Sequence, residues 1–173
     1  KKVIDNIFRV FEYTQDKYDF NIYLIDDFCP DKSWREVNKK ENIILIHHYK
    51  NIGVGGACIS GFNKALQDKC DLIIKMDADG QHNASYLLYL ISFLLKIDRN
   101  KLVMLKGSRY LWPELSNKTP LNRKIGSLLL EPMIRSSLNY RGLTDVANGF
   151  LAMNNFTLDF LLLNKFGPRL RKR

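Results

Sequence analysis

This chain is poor in the features that staple a fold or carry it across a membrane. Cysteine occurs three times in 173 residues, at Cys29, Cys58 and Cys70, with no CxxC spacing and no clustering with histidine. So odd and scattered a set argues against a disulfide framework and for reduced thiols, hence a cytoplasmic setting. No secretory leader is legible, so the Asn-x-Ser/Thr triplets at Asn83, Asn117 and Asn155 read as chance rather than glycan sites. No apolar run is long enough to span a bilayer. The longest, around Tyr86 to Ile97, includes tyrosines and a lysine and reads as a buried helix. Repeats, low-complexity tracts and internal linkers are absent, and a single domain over 1–173 is expected. Acids are scarce: 18 against 27 lysines and arginines, a net charge of +9. That balance favours anionic partners such as phosphates, nucleic acid or an anionic membrane surface. Nucleic acid is disfavoured, because no recognition motif is present and the aromatics are not interleaved with the basic residues.

A hydrophobic content of 46% and an aromatic content of 12% exclude disorder and supply a full core. Val3, Ile4, Ile7, Phe8, Val10 and Phe11 recur at helical spacing, so the chain opens with an amphipathic helix. Strands are expected at 20–25, 43–46, 71–76 and 102–105. Helices are expected at 33–38 with Ser33 as cap, 54–67, 84–97, 121–138 and 158–164. A polar loop covers 113–120, 145–150 reads as a turn or short strand, and 169–173 is a basic tail. Strands alternating with helices predict an α/β fold with a mostly parallel sheet flanked by helices. Ligands of such sheets bind beyond the carboxyl ends of the strands. Four segments fall there: Asp26-Asp27, His47 to Gly56, Asp77 to His82, and Gly107 to Tyr110.

Each segment has a chemical and a plain reading. Asp77 and Asp79 stand two apart where a strand runs out, so both carboxylates can aim at one point. Oxygen ligands of that kind suit Mg²⁺ or Mn²⁺; a solvated Asp-Ala-Asp-Gly turn explains the same residues. Asn51, Gly53, Gly55 and Gly56 join a strand to a helix, and a glycine-rich helix start attracts phosphate. A plain tight turn or a dinucleotide fingerprint are the alternatives, although Cys58 interrupts the GxGxxG pattern. Asp26 or Asp27 can accept hydrogen bonds from a ribose or base, or can cap a helix. Arg109 and Arg123 can clamp a pyrophosphate by forked hydrogen bonds, or can be surface charge. His47 and His48 lack a third ligand at metal spacing, and His82 sits in the acidic turn.

Taken in order, these segments resemble the family 2 glycosyltransferases of GT-A fold, above all the polyprenol- and dolichol-phosphate sugar synthases. The matching residues are Ile25-Asp26-Asp27, Asn51 with Gly53, Gly55, Gly56, Ala57, Gly61 and Ala65, then Asp77-Ala78-Asp79-Gly80-Gln81-His82, Gly107-Ser108-Arg109-Tyr110, and Thr144-Asp145 with Asn148-Gly149-Phe150. They cover about Phe20 to Met153. The resemblance implies a GT-A, Rossmann-like fold and a metal-dependent, inverting hexosyltransferase of cell-envelope glycan synthesis. Its donor would be a UDP- or GDP-sugar. Its acceptor would be a polyprenyl phosphate or a glycan or lipid hydroxyl. It implies that Asp26, Asp27, Asn51, Gly53, Gly55, Asp77 and Ala78 contact the donor nucleotide, and that Asp77, Asp79 and Gln81 hold Mg²⁺ or Mn²⁺. Asp145, Arg109 and Arg123 would be catalytic, with Asp145 the base for a hydroxyl acceptor and Arg123 with Lys124 positioning a phosphate one.

Two departures stand out. Phe28-Cys29 replaces the family's Gly-Ser, and the chain starts in the helix after the family's first strand. A domain cut at its N-terminus is therefore expected, with the C-terminus open to the same reading. Peripheral contact at the cytoplasmic face of the membrane through the basic tail is expected, and a homo-oligomer is left open. The competing reading is a nucleotide-binding module without catalysis.

Overall fold

The computed structural model describes residues 1–14, 17–37, 41–108, 132, 144–145 and 148–162. Helix α1 (Lys2–Glu12) precedes β1 (Ile22–Asp26), a 3₁₀ turn (Ser33–Glu36), β2 (Ile43–His47), α2 (Gly53–Gln67) and β3 (Leu72–Lys75). Then come α3 (Tyr86–Leu94), β4 (Met104–Lys106), β5 (Leu151–Asn154) and α4 (Asn155–Leu161). The alternation read from the sequence is present, and the fold is α/β with parallel strands flanked by helices.

β1 and β2 run parallel, with Ile22 opposite Ile43 and Asp26 opposite His47. β3 and β4 flank β5, which is antiparallel to both. That central strand lies just beyond the stretch expected as a turn or short strand. From its second residue on it is enclosed: Ala152 is 0% and Met153 2% exposed. The Asp-x-x-Asn-Gly-Phe loop delivers the chain into the middle of the sheet. Among the described residues, the edge of β1 away from β2 and the edge of β3 away from β5 have no strand partner.

α2 ties the two sheets together. Ala65 of α2, Ile73 of β3, Met153 of β5 and Leu158 of α4 form one buried cluster, joined by Tyr23 of β1. Burying a side chain of this size contributes about 1.5–3 kcal/mol. Gly61 lets α2 approach β1, because a Cβ there would lie 3.3 Å from Ile25 Cδ1. The apolar stripe of α1 packs Ile7, Val10 and Phe11 against Ala84, Leu87 and Phe150, and Phe11 stacks on Phe20 at 4.1 Å.

Asn154 ends β5 and starts α4. Its Oδ1 accepts from the Thr157 amide at 2.9 Å and the Thr157 hydroxyl at 2.6 Å. Its amide donates to the carbonyls of Arg99 and Lys101. Ser33 does not cap a helix as expected: Lys32 holds the cap position in left-handed geometry, and only a 3₁₀ turn forms. The 113–120 loop, the basic tail and, apart from residue 132, the expected 121–138 helix lie outside the described residues, as do Arg109, Arg123 and Lys124. Among the described residues no helix is long and apolar enough to cross a membrane.

Candidate active site

The site residues fall into two groups at the carboxyl ends of the strands. The first is built where β1 and β2 end side by side. The parallel register sets Asp26-Asp27 against His47-His48, so two carboxylate–imidazole pairs form. Asp26, 5% exposed, meets His47 Nδ1 at 2.5 Å and accepts from the Cys29 amide at 3.1 Å. Asp27 meets His48 Nδ1 at 2.8 Å and accepts from the Ile52 amide at 2.9 Å. His48 Nε2 in turn lies 2.9 Å from Ser60 Oγ of α2. The Ile52 N–H, and after it His48, holds the Asp27 carboxyl below its ordinary value. Asp26 and Asp27 point to opposite faces, as strand alternation requires, and only Asp27 looks toward α2.

The same face carries the glycine loop. Asn51 Oδ1 accepts from the Gly53 amide at 3.0 Å, which fixes the turn into α2. Gly53 has φ +81, a geometry that favours glycine. A Cβ on Gly53 or Gly55 would meet no atom within 4 Å, so both face open space, whereas Gly56 lies against Ile52. Asn51, Gly53 and Asp27 are thus brought together through Ile52.

The second group is built around Asp77. Lys75 Nζ donates to Asp77 Oδ1, and His82 Nε2 lies 3.7 Å from Oδ2. Burial opposes the charge on Asp77, but the Lys75 hydrogen bond and charge, with His82, outweigh it and hold the carboxyl below its ordinary value. Asp79 is exposed and accepts from the Gln81 amide at 3.0 Å, closing a turn through Gly80 at φ +79. Ala78 and Gln81 are exposed in that turn.

Against this turn packs the loop that leads into β5. A Cβ on Gly149 would overlap both Lys75 Nζ and Asp77 Oδ2. The Phe150 ring stacks on His82 at 5.0 Å. Asn148 holds the loop: its Oδ1 accepts from the Phe150 amide at 2.9 Å, its amide donates to Asp145 Oδ2 at 3.3 Å, and Lys106 Nζ donates to its carbonyl. Gly107 donates its amide to the Phe150 carbonyl at 2.8 Å, and Thr144 bonds Ser108 at 2.7 Å. Asp145 is completely buried, with a left-handed φ of 53.

The side-chain oxygens carried by this turn are those of Asp77, whose Oδ1 accepts from Lys75, and of Asp79 and Gln81. Among the described residues no three His, Cys, Asp or Glu side chains are grouped to hold a metal ion. Asp77 already meets Lys75 and His82, so an ion here would rest on Asp77 and Asp79 together with substrate phosphates, as Mg²⁺ commonly does. Sequence reading missed the roles of Lys75, Asn148, His47 at the end of β2 and His48 just after it. The doubled acids and doubled histidines at adjacent strand ends were the available signal for the last.

Residues 1–159 match the glycosyl transferase family 2. The UDP-N-acetylglucosamine–dolichyl-phosphate N-acetylglucosaminyltransferase of Methanococcus voltae is 30% identical over 177 residues, spanning 93% of this chain and 68% of that protein. The undecaprenyl-phosphate mannosyltransferase of Micrococcus luteus is 31% identical over 144 residues, 80% of this chain and 56% of that protein. The dolichol-phosphate mannosyltransferase of Pyrococcus furiosus is 25% identical over 170 residues, 95% of this chain and 46% of that protein. The chain thus spans between about half and two thirds of the length of these relatives. By that match the chain belongs to the glycosyl transferase family 2.

Proposed function

We propose that the chain transfers a sugar from a UDP- or GDP-sugar to a polyprenyl phosphate, with inversion at the anomeric carbon. The acceptor phosphate oxygen would form the new bond to that carbon. The bond to the nucleoside diphosphate would break on the opposite face, and its electron pair would leave on the diphosphate oxygen. Three relatives named for a dolichyl, undecaprenyl or dolichol phosphate support the acceptor class.

The observation that carries the choice of a phosphate over a hydroxyl acceptor is the burial of Asp145, whose exposure is 0%. A general base must reach the proton it takes. An ionised phosphate needs none, and Asp145 then serves to hold Asn148 and the Gly149 loop. Asp27, Asn51, Gly53 and Gly55 would bind the nucleotide on the α2 face, with Asp26 setting the turn behind them. Asp77, Ala78, Asp79 and Gln81 would face the diphosphate. A bound Mg²⁺ or Mn²⁺ there would supply positive charge to the leaving group. Arg109 would stabilise the same charge, and Arg123 with Lys124 would position the acceptor phosphate. An acceptor embedded in a bilayer requires the chain to meet the membrane surface, and the +9 charge suits the anionic cytoplasmic face.

The test is incubation with UDP-N-acetylglucosamine, UDP-glucose and GDP-mannose, Mn²⁺ and a short polyprenyl phosphate. A lipid-linked product of inverted anomeric configuration is expected with one donor. Retained configuration, or transfer to a hydroxyl acceptor alone, refutes the mechanism. Nucleotide binding with no transfer assigns the chain a binding role instead.

A further inference from the structure

A cavity of about 360 Å³ opens beyond β1 and β2, lined by Phe28, Cys29, Lys32, Trp34, Arg35 and His47 among others. It lies on the face of Asp26 and His47. The glycine loop, Asp27, His48 and Ser60 lie on the other face, because alternate strand residues point opposite ways. Four features mark it as more than a surface dent. Phe28 (φ 61) and Lys32 (φ 49) both line it in left-handed geometry that non-glycine residues rarely adopt. Such geometry persists where the surroundings enforce it, and it gathers at ligand sites. Asp26 enforces it here by accepting the Cys29 amide.

Phe28 is 55% exposed, and Trp34 packs with His47 at 5.9 Å and with the Arg35 guanidinium at 5.3 Å. Among the described residues the buried Trp34 indole N–H has no hydrogen-bond partner, and buried donors are normally satisfied. Among the described residues, neither Lys32 nor Arg35 is in an ion pair. Of the nearby acids, Asp26 is covered by His47, and Asp31 interacts with Cys29 at the rim.

We propose that this pocket is a second ligand site, separate from the Asp27 face, and that it takes a nucleoside phosphate. Aromatic walls accept the flat face of a heterocycle. Two unpaired cations accept a phosphate, the arginine by its planar fork. The Cys29 thiol at the pocket rim is held below its ordinary pKa by Ser33, which makes it a usable reporter.

The experiment uses the Trp112→Phe chain, in which Trp34 is the remaining tryptophan. UMP and GMP are titrated without divalent ions, beside inorganic phosphate and benzoate. Saturable quenching of Trp34 by a nucleotide is expected, together with protection of Cys29 from iodoacetamide. Arg35→Gln, a change at an exposed side chain, should weaken both readouts about tenfold, and Arg35→Lys should recover part of the loss. Asp27→Asn should leave both unchanged. The inference is overturned if Arg35→Gln binds as the parent does, if Asp27→Asn abolishes the signal, or if phosphate or benzoate binds as tightly as the nucleotides. Binding that survives Asp27→Asn but is lost in Arg35→Gln upholds the pocket even if donor binding on the other face fails.

Discussion

Gly149 lies directly against Asp77: a Cβ at position 149 would stand 2.9 Å from Asp77 Cγ. The loop before β5 therefore closes on the acidic turn with no room for a side chain. Gly149→Ala should push the Lys75–Asp77 pair out of place and cost about 1–3 kcal/mol of stability, the usual penalty of overpacking. Thermal unfolding with and without Mn²⁺ and nucleotide checks it. A variant with unchanged midpoint and unchanged nucleotide affinity would show that the loop yields freely.

Lys75 already supplies a positive charge to Asp77, on the oxygen a metal ion would otherwise share. Removing it with Lys75→Gln frees that oxygen. Mn²⁺ binding in the absence of nucleotide should tighten about tenfold, or about 1.4 kcal/mol. Electron paramagnetic resonance of free Mn²⁺ measures this without an activity assay. Weaker binding in the variant would mean that Lys75 orders the carboxylate for the metal rather than competing with it.

Asp79 is the more exposed of the two acids and accepts the Gln81 amide within its own turn. Asp79→Ala should abolish transfer and the metal-dependent part of nucleotide binding while the fold persists. Equal UDP and GDP affinities in variant and parent, with and without Mn²⁺, would remove Asp79 from the donor site.

The Asp27 carboxyl is held low by the Ile52 amide and His48. A carboxyl depressed in the folded state adds stability above its unfolded pKa of about 4, and that stability is lost as pH falls through the folded value. Urea unfolding from pH 6 downward should show the loss, and Asp27→Asn should flatten that part of the profile. An identical pH slope in the variant would show that Asp27 gains nothing on folding.

Asn154 satisfies the start of α4 and the carbonyls of Arg99 and Lys101 at once. Asn154→Ala leaves the buried Thr157 amide and the two carbonyls without this partner and should cost about 1–3 kcal/mol. Chemical denaturation reads the loss, and a change below about 0.5 kcal/mol would show that the site relaxes.

The order of helices and strands was legible in the sequence because apolar residues repeat at the period of each element. Helical spacing in Val3 to Phe11 and the apolar runs of β1 to β3 announced themselves. The ends of α3 and α4 and the place of β5 did not. Asn154 serves strand and helix together, and a four-residue strand such as Leu151–Asn154 carries too little pattern to reveal its neighbours. The acidic turn was legible as two carboxylates, but not that a lysine two residues earlier would fold back onto one of them.

By itself, the sequence determined what is local: which stretches are helix or strand, where glycine permits left-handed turns, and which acids stand at strand ends. The tertiary structure decided which of those ends meet. Strand register paired Asp26 with His47 and Asp27 with His48 across 21 positions, and an antiparallel β5 brought Gly149 onto Asp77. Local patterns follow from backbone sterics and the period of burial, whereas such meetings follow from how the whole core closes, which no short stretch of residues encodes.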